Sequence, residues 1–374
     1  MPPEDQPSPA ATIERIRVLR DGVQAFPAML ELIAQAREEV LFENFIFAGD
    51  RTGRMFADAL AAAARRGVAV RVLYDPVGTW MVKGGSIAGL LRREGVQAQP
   101  FRPLSPLAPW TLWRLRHRDH RKTLTVDSTN CVVGGLCISD NWSPPSQGGQ
   151  GWRDTALQVR GAVAPQVREA FWNMWRDGRA DATRGRLPAL AGALPPSAWV
   201  LCDHPGAERV EHAYAWFARH AGRCLDIADA YLVMPRPVVA ELRAAARRGV
   251  RVRILTPHHN NHAVAAAAAR ALYQPLLDAG IELHEWRGSM LHAKTAVMDG
   301  RISLVGSSNL DPLSMRRNFE LNLVVLDPAT GARMQDMFEQ DLAGSVTIDA
   351  GAWRRRPWWR RTAERAASWL APAL

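Results

Sequence analysis

Lysine is nearly absent from this 374-residue chain. Only Lys83, Lys122 and Lys294 occur among its 47 basic residues, so the other 44 are arginine. Two of the three lysines stand two residues after a histidine, at His120 and His292. An ammonium is a compact point charge and a guanidinium a broad planar fork, so these positions demand something arginine does not supply in a tight phosphate site. Cysteine is scarce too. Cys131, Cys137, Cys202 and Cys224 have no CxxC spacing, which argues against a disulfide framework or a structural zinc site and fits a reducing compartment. HExxH and paired Cys/His spacings are missing, so neither a metal nor a cofactor is expected. No apolar run reaches the roughly 20 residues of a spanning helix. The opening MPPEDQPSPAATIER has no basic stretch followed by an apolar one, so no secretion signal or transmembrane anchor is expected.

What is present describes a large, basic, globular protein. The length exceeds one ordinary core, and 47% hydrophobic with 22% charged residues suits compact folding. A formal net charge of +10 favours polyanionic partners, either nucleic acid or an anionic membrane surface, without choosing between them.

Along the chain the pattern is an α/β alternation that runs twice. IRVL, EVLFENFIF and VAVRVLYD read as strands, with helices between them at VQAFPAMLELIAQARE and MFADALAAAARRG. The order returns with WVLCD, AYAWFARHAG, LDIADAYLV, VAELRAAARRG and VRVRILTP. AAAARRGVAVRVL at 61–73 matches RAAARRGVRVRIL at 243–255, which marks a duplication. The expected organisation is a disordered lead at 1–14, a first half at 15–185 and a linker at 186–198, then a second half at 199–350 and a basic tail at 351–374. Just before its motif the first half carries about ten extra residues within 100–116, where Trp110 and Trp113 read either as a surface loop or as a lip against lipid headgroups. The tail sets Trp353, Trp358, Trp359 and Trp369 among six arginines. As a helix it lines up Trp359, Ala363, Ala366 and Leu370 opposite Arg360, Arg361 and Arg365, an interfacial pattern; the alternative is a solvated basic tail.

Both halves carry His-x-Lys-x-x-x-x-Asp, as His120, Lys122 and Asp127 and as His292, Lys294 and Asp299. On a strand, residues i and i+2 share a face, so each histidine projects beside its lysine, and Asp299-Gly300 turns into a second strand, RISLVG. Alone, Asp-Gly is a turn former and a histidine is a packing residue; repetition at matched places in a duplicated fold is what argues for chemistry. Two histidines and two lysines meeting across a pseudo-twofold axis suit the splitting of a phosphodiester. One imidazole attacks phosphorus, the other protonates the leaving alkoxide, and lysines with hydroxyl and amide donors hold the phosphoryl oxygens. Asp154 and Glu320 lie at corresponding places after the two motifs and could orient the imidazoles, or could be surface charges.

These residues, with Gly134-Gly135 and Gly306-Ser307-Ser308-Asn309 downstream, resemble the phospholipase D superfamily. ENFIF, YDPVGT, HRKTLTVD, VGG, WRDT and NFELNLVV narrow the resemblance to bacterial cardiolipin synthases of the shorter type, over roughly residues 15–345. The resemblance implies two mixed-sheet α/β halves about a pseudo-twofold axis with the site between them, and metal-independent ping-pong transfer through a phosphohistidine. By that analogy His120 is the nucleophile and His292 the acid, then base. Ser307, Asn309, Asp154 and Glu320 bind substrate or orient the histidines. A phosphatidyl group would pass from phosphatidylglycerol, or another phospholipid, to a second phosphatidylglycerol. The place would be the cytoplasmic face of the bacterial membrane, held peripherally. Water as acceptor would make the enzyme a phospholipase D; a nuclease and a non-catalytic membrane scaffold are the further alternatives. One position departs from the pattern: Cys137 stands seventeen residues after His120, where the second motif has Asn309, and a thiol is a poor donor to a phosphoryl oxygen.

Overall fold

A computed structural model describes residues 11–82, 86–104, 115–177 and 196–370. The first half runs β1 (Ala11–Arg20), α1 (Asp21–Gln35), β2 (Glu39–Asn44), α2 (Arg51–Arg65), β3 (Ala69–Tyr74), α3 (Pro76–Trp80), α4 (Ala88–Arg93), β4 (Gln97–Pro100), β5 (Lys122–Val126), β6 (Asn130–Gly134), β7 (Thr155–Gly161) and α5 (Val163–Asp177). The second runs β8 (Ser197–Asp203), α6 (Arg209–His220), β9 (Cys224–Asp229), α7 (Arg236–Arg247), β10 (Arg251–Pro257), α8 (Ala263–Leu277), β11 (Glu282–Trp286), β12 (Lys294–Met298), β13 (Ile302–Gly306), α9 (Pro312–Arg316), β14 (Glu320–Leu326) and α10 (Pro328–Ala343). β15 (Ser345–Thr347), α11 (Ala350–Arg354) and α12 (Trp358–Leu370) complete the chain.

The duplication is exact at the level of strand order. The first half lies β4, β3, β2, β5, β6, β7, β1 and the second β11, β10, β9, β12, β13, β14, β8, joined where β1 meets β8 over Ala11–Ala198 and Thr12–Ser197. The repeated sequence segments occupy matching places. Each is the end of an amphipathic helix, α2 or α7, then a glycine, then a parallel strand. Gly67 (φ 89°) and Gly249 (φ 90°) take the left-handed conformation that closes each helix, which a side chain would strain. Alternating apolar residues of the two sheets meet face to face, Val133, Leu157 and Val159 of one half against Val200, Leu321 and Leu323 of the other. Each half also has its own core beneath its helices, around Phe42 and Phe56 in the first and around Ile227 and Ile254 in the second. The duplicated halves therefore form one packed body, joined by this apolar layer and by the short β1–β8 pairing.

Three expectations change. The strand β1 begins at Ala11, inside the segment read as a disordered lead, because Ile13 and Ile16 to Arg20 pair along β7. β8 begins at Ser197, inside the expected linker; the rest of that linker and the Trp110 and Trp113 loop lie outside the described residues. The tail is not free. α11 and α12 dock on the second half, with Trp353 stacked on Tyr273 at 4.8 Å and Arg354 paired with Asp278 at 2.5 Å. Trp353 is therefore a packing residue rather than a membrane contact, since its ring covers Tyr273 and carries Arg356 on its other neighbour contact. Trp358, Trp359 and Trp369 remain 75%, 55% and 85% exposed, and Ala363 and Ala366 of the expected stripe are exposed with them.

Candidate active site

Register places the two motifs at one end of the sheet. Lys122, the first residue of β5, pairs with Asn44 at the end of β2; Lys294, the first residue of β12, pairs with Asp229 at the end of β9. The histidines sit two residues beyond, where regular pairing has ended, and a clasp between the halves holds them. The His120 N–H donates to the Phe319 carbonyl at 2.9 Å, and the His292 N–H donates to the Arg153 carbonyl at 2.7 Å. Phe319 and Arg153 are the residues just before Glu320 and Asp154. Each histidine is thus anchored to the half that does not carry it.

The side chains repeat this crossing. His120 Nδ1 lies 2.9 Å from Glu320 Oε1, and His292 Nδ1 lies 2.7 Å from Asp154 Oδ2. All four are buried. Along the chain each carboxylate follows the motif of its own half, and in the structure each faces the histidine of the other half. Asp154 and Glu320 thus stand where they can orient the imidazoles. Space for them is built in: a Cβ on Gly135 would lie 2.2 Å from Asp154 Oδ1. With Nδ1 of each ring turned to a carboxyl group, Nε2 is the nitrogen left for chemistry.

The two carboxyl groups are shifted in opposite directions. Burial pushes Glu320 up to about 8, with Lys122 and the Ser307 hydroxyl opposing, which favours its protonated form near neutral pH. Ser307 hydrogen-bonds the Glu320 carboxyl and the backbone of Leu321. Asp154 is equally buried, yet it stays below the usual range: His292, Lys294 and the Trp142 indole outweigh desolvation. Trp142 Nε1–H donates to Asp154 Oδ2 at 2.8 Å and the Thr155 N–H to Oδ1 at 2.8 Å.

Lys122 and Lys294 are buried and donate to the carbonyls of their own histidines. Burial lowers both ammonium groups, Lys294 to about 8. Burial and the two lysines hold both histidines low as well, His292 at about 3. Two lysines and two imidazoles are buried together here with Asp154 as the carboxylate held low among them, an excess of cationic groups that suits an anion site. Aromatic rings complete the walls: Phe45 stands edge-on to His120 at 4.9 Å, Trp142 to His292 at 5.1 Å, with Trp152 and Tyr231 beyond.

The motif aspartates are not part of this group. Asp127 accepts from the N–H groups of Arg37, Glu38 and Glu39 at 2.9–3.0 Å, and Asp299 from those of Gly222, Arg223 and Cys224 at 2.8–2.9 Å. Each sits at the far end of a five-residue strand, about 16 Å from the lysine end, in a left-handed turn conformation. Both were expected among the catalytic residues; the structure makes them ties between a hairpin and the start of the neighbouring strand. Asp127→Ala and Asp299→Ala should each cost about 1–3 kcal/mol of stability, read by denaturant unfolding, while turnover per folded molecule stays unchanged.

A cardiolipin synthase, phospholipase D-like domain family model matches residues 29–175 and 217–342, most of both halves. The chain belongs to this family. Cardiolipin synthase A of Pseudomonas entomophila is 31% identical over 98% of this chain and 76% of its own length. A cardiolipin synthase of Geobacillus sp. (strain WCH70) is 29% identical over 98% and 74%. The fold is that of the phosphatidylserine synthase of Haemophilus influenzae Rd KW20, with a TM-score of 0.76 and 14% identity over 98% of this chain and 97% of that one. Family membership makes the chain an enzyme among phospholipase D-like phosphatidyltransferases, with a phospholipid as its substrate.

Within this family framework the Cys137/Asn309 asymmetry takes a physical form. Asn309 is buried, its amide N–H2 donates to Ser314 Oγ at 3.2 Å, and its Oδ1 has no hydrogen-bond partner. Cys137 packs into the first-half core, where burial raises its thiol and Lys122 opposes the rise. Sequence reasoning overlooked Trp142, Phe45 and the backbone clasp at Arg153 and Phe319. Trp142 and Phe45 lie in irregular segments, which carry no period to read, and a backbone contact leaves no trace in side-chain identity.

Proposed function

We propose that this enzyme makes cardiolipin from phosphatidylglycerol, or from another phospholipid donor, by a two-step transfer through a phosphohistidine. His120 Nε2 attacks phosphorus while His292 gives its Nε2 proton to the departing headgroup oxygen, releasing glycerol when phosphatidylglycerol is the donor. His292 then takes the proton of the acceptor hydroxyl on a second phosphatidylglycerol. That oxygen attacks phosphorus, the bond to His120 breaks, and cardiolipin leaves. Lys122 and Lys294 carry the charge of the phosphoryl oxygens throughout.

The observation that carries this reading is the crossed pair of dyads in one buried, cationic cleft. The opposite shifts of the two carboxyl groups support this division of roles: a raised Glu320 beside His120 suits a neutral nucleophile, and a lowered Asp154 beside His292 favours its imidazolium once a phosphodiester anion adds its charge. The test is incubation of purified protein with labelled phosphatidylglycerol vesicles and, separately, with DNA. Cardiolipin is expected. Phosphatidic acid alone would make the enzyme a hydrolase, and a cut DNA lane a nuclease.

The exposed indoles of Trp358, Trp359 and Trp369 with Arg360, Arg361 and Arg365 suit peripheral attachment to the anionic cytoplasmic face of the membrane. No described helix is long and apolar enough to cross it. Replacing the three tryptophans by alanine should weaken sedimentation with anionic vesicles, and added salt should weaken it further. Unchanged sedimentation would remove α12 as an anchor. Trp353 is kept in this variant because it packs on Tyr273.

A further inference from the structure

Strand direction fixes which face of the molecule opens onto the chemistry. β2 and β3 run parallel and end together at Asn44 and Tyr74, beside Lys122; β9 and β10 do the same beside Lys294. The histidines therefore lie beyond the carboxyl ends of these strands, and the segments that follow β3 and β10 form the rim. After β3 that segment is α3. Its N-cap, Asp75, accepts from the Val77 N–H at 2.9 Å, from Arg118 at 2.8 Å and from the Asp119 N–H at 3.1 Å, which ties the helix to the residue next to His120. Gly78 lies against Phe45, the ring that covers His120, so closely that a Cβ would come within 2.8 Å of it.

On this clamped support the chain holds large apolar groups in water. Trp80 is 84% exposed and Met81 60% exposed, with Leu115, five residues before His120, 44% exposed. Across the cleft, Val264 at the start of α8 is 43% exposed. α12 adds to that side. It begins next to α11, which contacts the distal end of α8 through Tyr273 and Asp278, and it packs along α8, so it runs back toward Val264. Its last turns bring Trp369, with Arg365 one turn before it.

Adjacent exposed tryptophan and methionine on a rigid turn mark a contact surface rather than scattered surface residues. Indoles flanked by arginine, on a chain of net charge +10, match the headgroup region of an anionic bilayer in both apolar and electrostatic respects. We propose that the rim of the cleft is the membrane-contacting face. Trp80 and Met81 insert from the first half, Val264 and Trp369 from the second. Lipid headgroups then enter between the halves while their acyl chains stay in the bilayer. This inference rests on the lipid-transfer reading and extends it to how substrate arrives.

The test is the double variant Trp80→Ala/Met81→Ser in the full chain, with two substrates. One is phosphatidylglycerol/phosphatidylcholine vesicles, read by sedimentation and turnover. The other is short-chain phosphatidylglycerol below its micelle concentration, read by turnover alone. Vesicle affinity should fall by about tenfold or more, from the apolar area withdrawn. Vesicle turnover should fall with it, and turnover of the dissolved lipid should stay within about twofold of the parent. Trp80→Phe should restore most of the vesicle affinity. Unchanged vesicle affinity would overturn the proposal, as would an equal loss on both substrates, which would place Trp80 in the site itself. A parent enzyme that binds vesicles through Trp80 but transfers no phosphatidyl group would refute the functional reading and leave the docking face standing.

Discussion

Alanine at His120 or at His292 is expected to lower phosphatidyl transfer by about 10⁴-fold or more. The two losses should differ in kind. His120→Ala removes the atom that bonds phosphorus, so no covalent intermediate forms with any donor. His292→Ala removes only the proton source for the leaving oxygen. A phosphodiester with a nitrophenolate leaving group needs no such proton, so His292→Ala should still release nitrophenolate and accumulate phosphoryl-His120, whereas His120→Ala should do neither. Mass spectrometry of the labelled chain reads the adduct. Substantial cardiolipin synthesis in either variant would break the two-histidine mechanism. An adduct on His292 in His120→Ala would reverse the roles. Both variants should fold, since the backbone clasp at Phe319 and Arg153 does not depend on the imidazoles.

Much of this was legible before any coordinates, because duplication makes sequence signals check one another. The matched AARRG turns predicted matching helix–strand units, and the glycines of both take the same left-handed conformation. The scarcity of lysine singled out Lys122 and Lys294, and both prove buried beside their histidines. The rest was hidden because spacing along a chain does not say which residues meet across an interface. Asp127 and Asp299 recur with the histidines because they close the same hairpins, and recurrence alone does not bring them to the histidine end of the strand. Asp154, just before β7, and Glu320, at the start of β14, sit at corresponding places, and each faces the histidine of the opposite half. The charge difference between them is likewise invisible in sequence. It depends on burial outweighing Lys122 and the Ser307 hydroxyl at Glu320, while His292, Lys294 and the Trp142 indole outweigh burial at Asp154. Trp353 looked like its tail neighbours by composition, and only the position of Tyr273 sets it apart.

That charge difference leads to the second large effect. Glu320→Gln should be mild, about tenfold or less in turnover, because a carboxamide copies a neutral carboxylic acid: its oxygen accepts from His120 Nδ1–H and its N–H2 meets Ser307. Asp154→Asn should cost about 10²–10⁴-fold, since it removes the anion that supports protonated His292 and can present an N–H2 to Nδ1. Their pH dependence of stability should run in opposite directions. Glu320 is raised from 4.5 to about 8, so its favourable contribution is complete below pH 4.5 and is lost as pH rises through about 8. Glu320→Gln removes that loss, and its melting temperature should gain on the parent as pH goes from 6 to 9. Asp154 is lowered below 3.8, so its contribution is present above that value and disappears only as pH falls through the folded-state pKa. Asp154→Asn should therefore melt below the parent throughout pH 6–9. If Glu320→Gln proves the more damaging change and Asp154→Asn the milder, the acid is His120, and the phosphatidyl group is carried by His292.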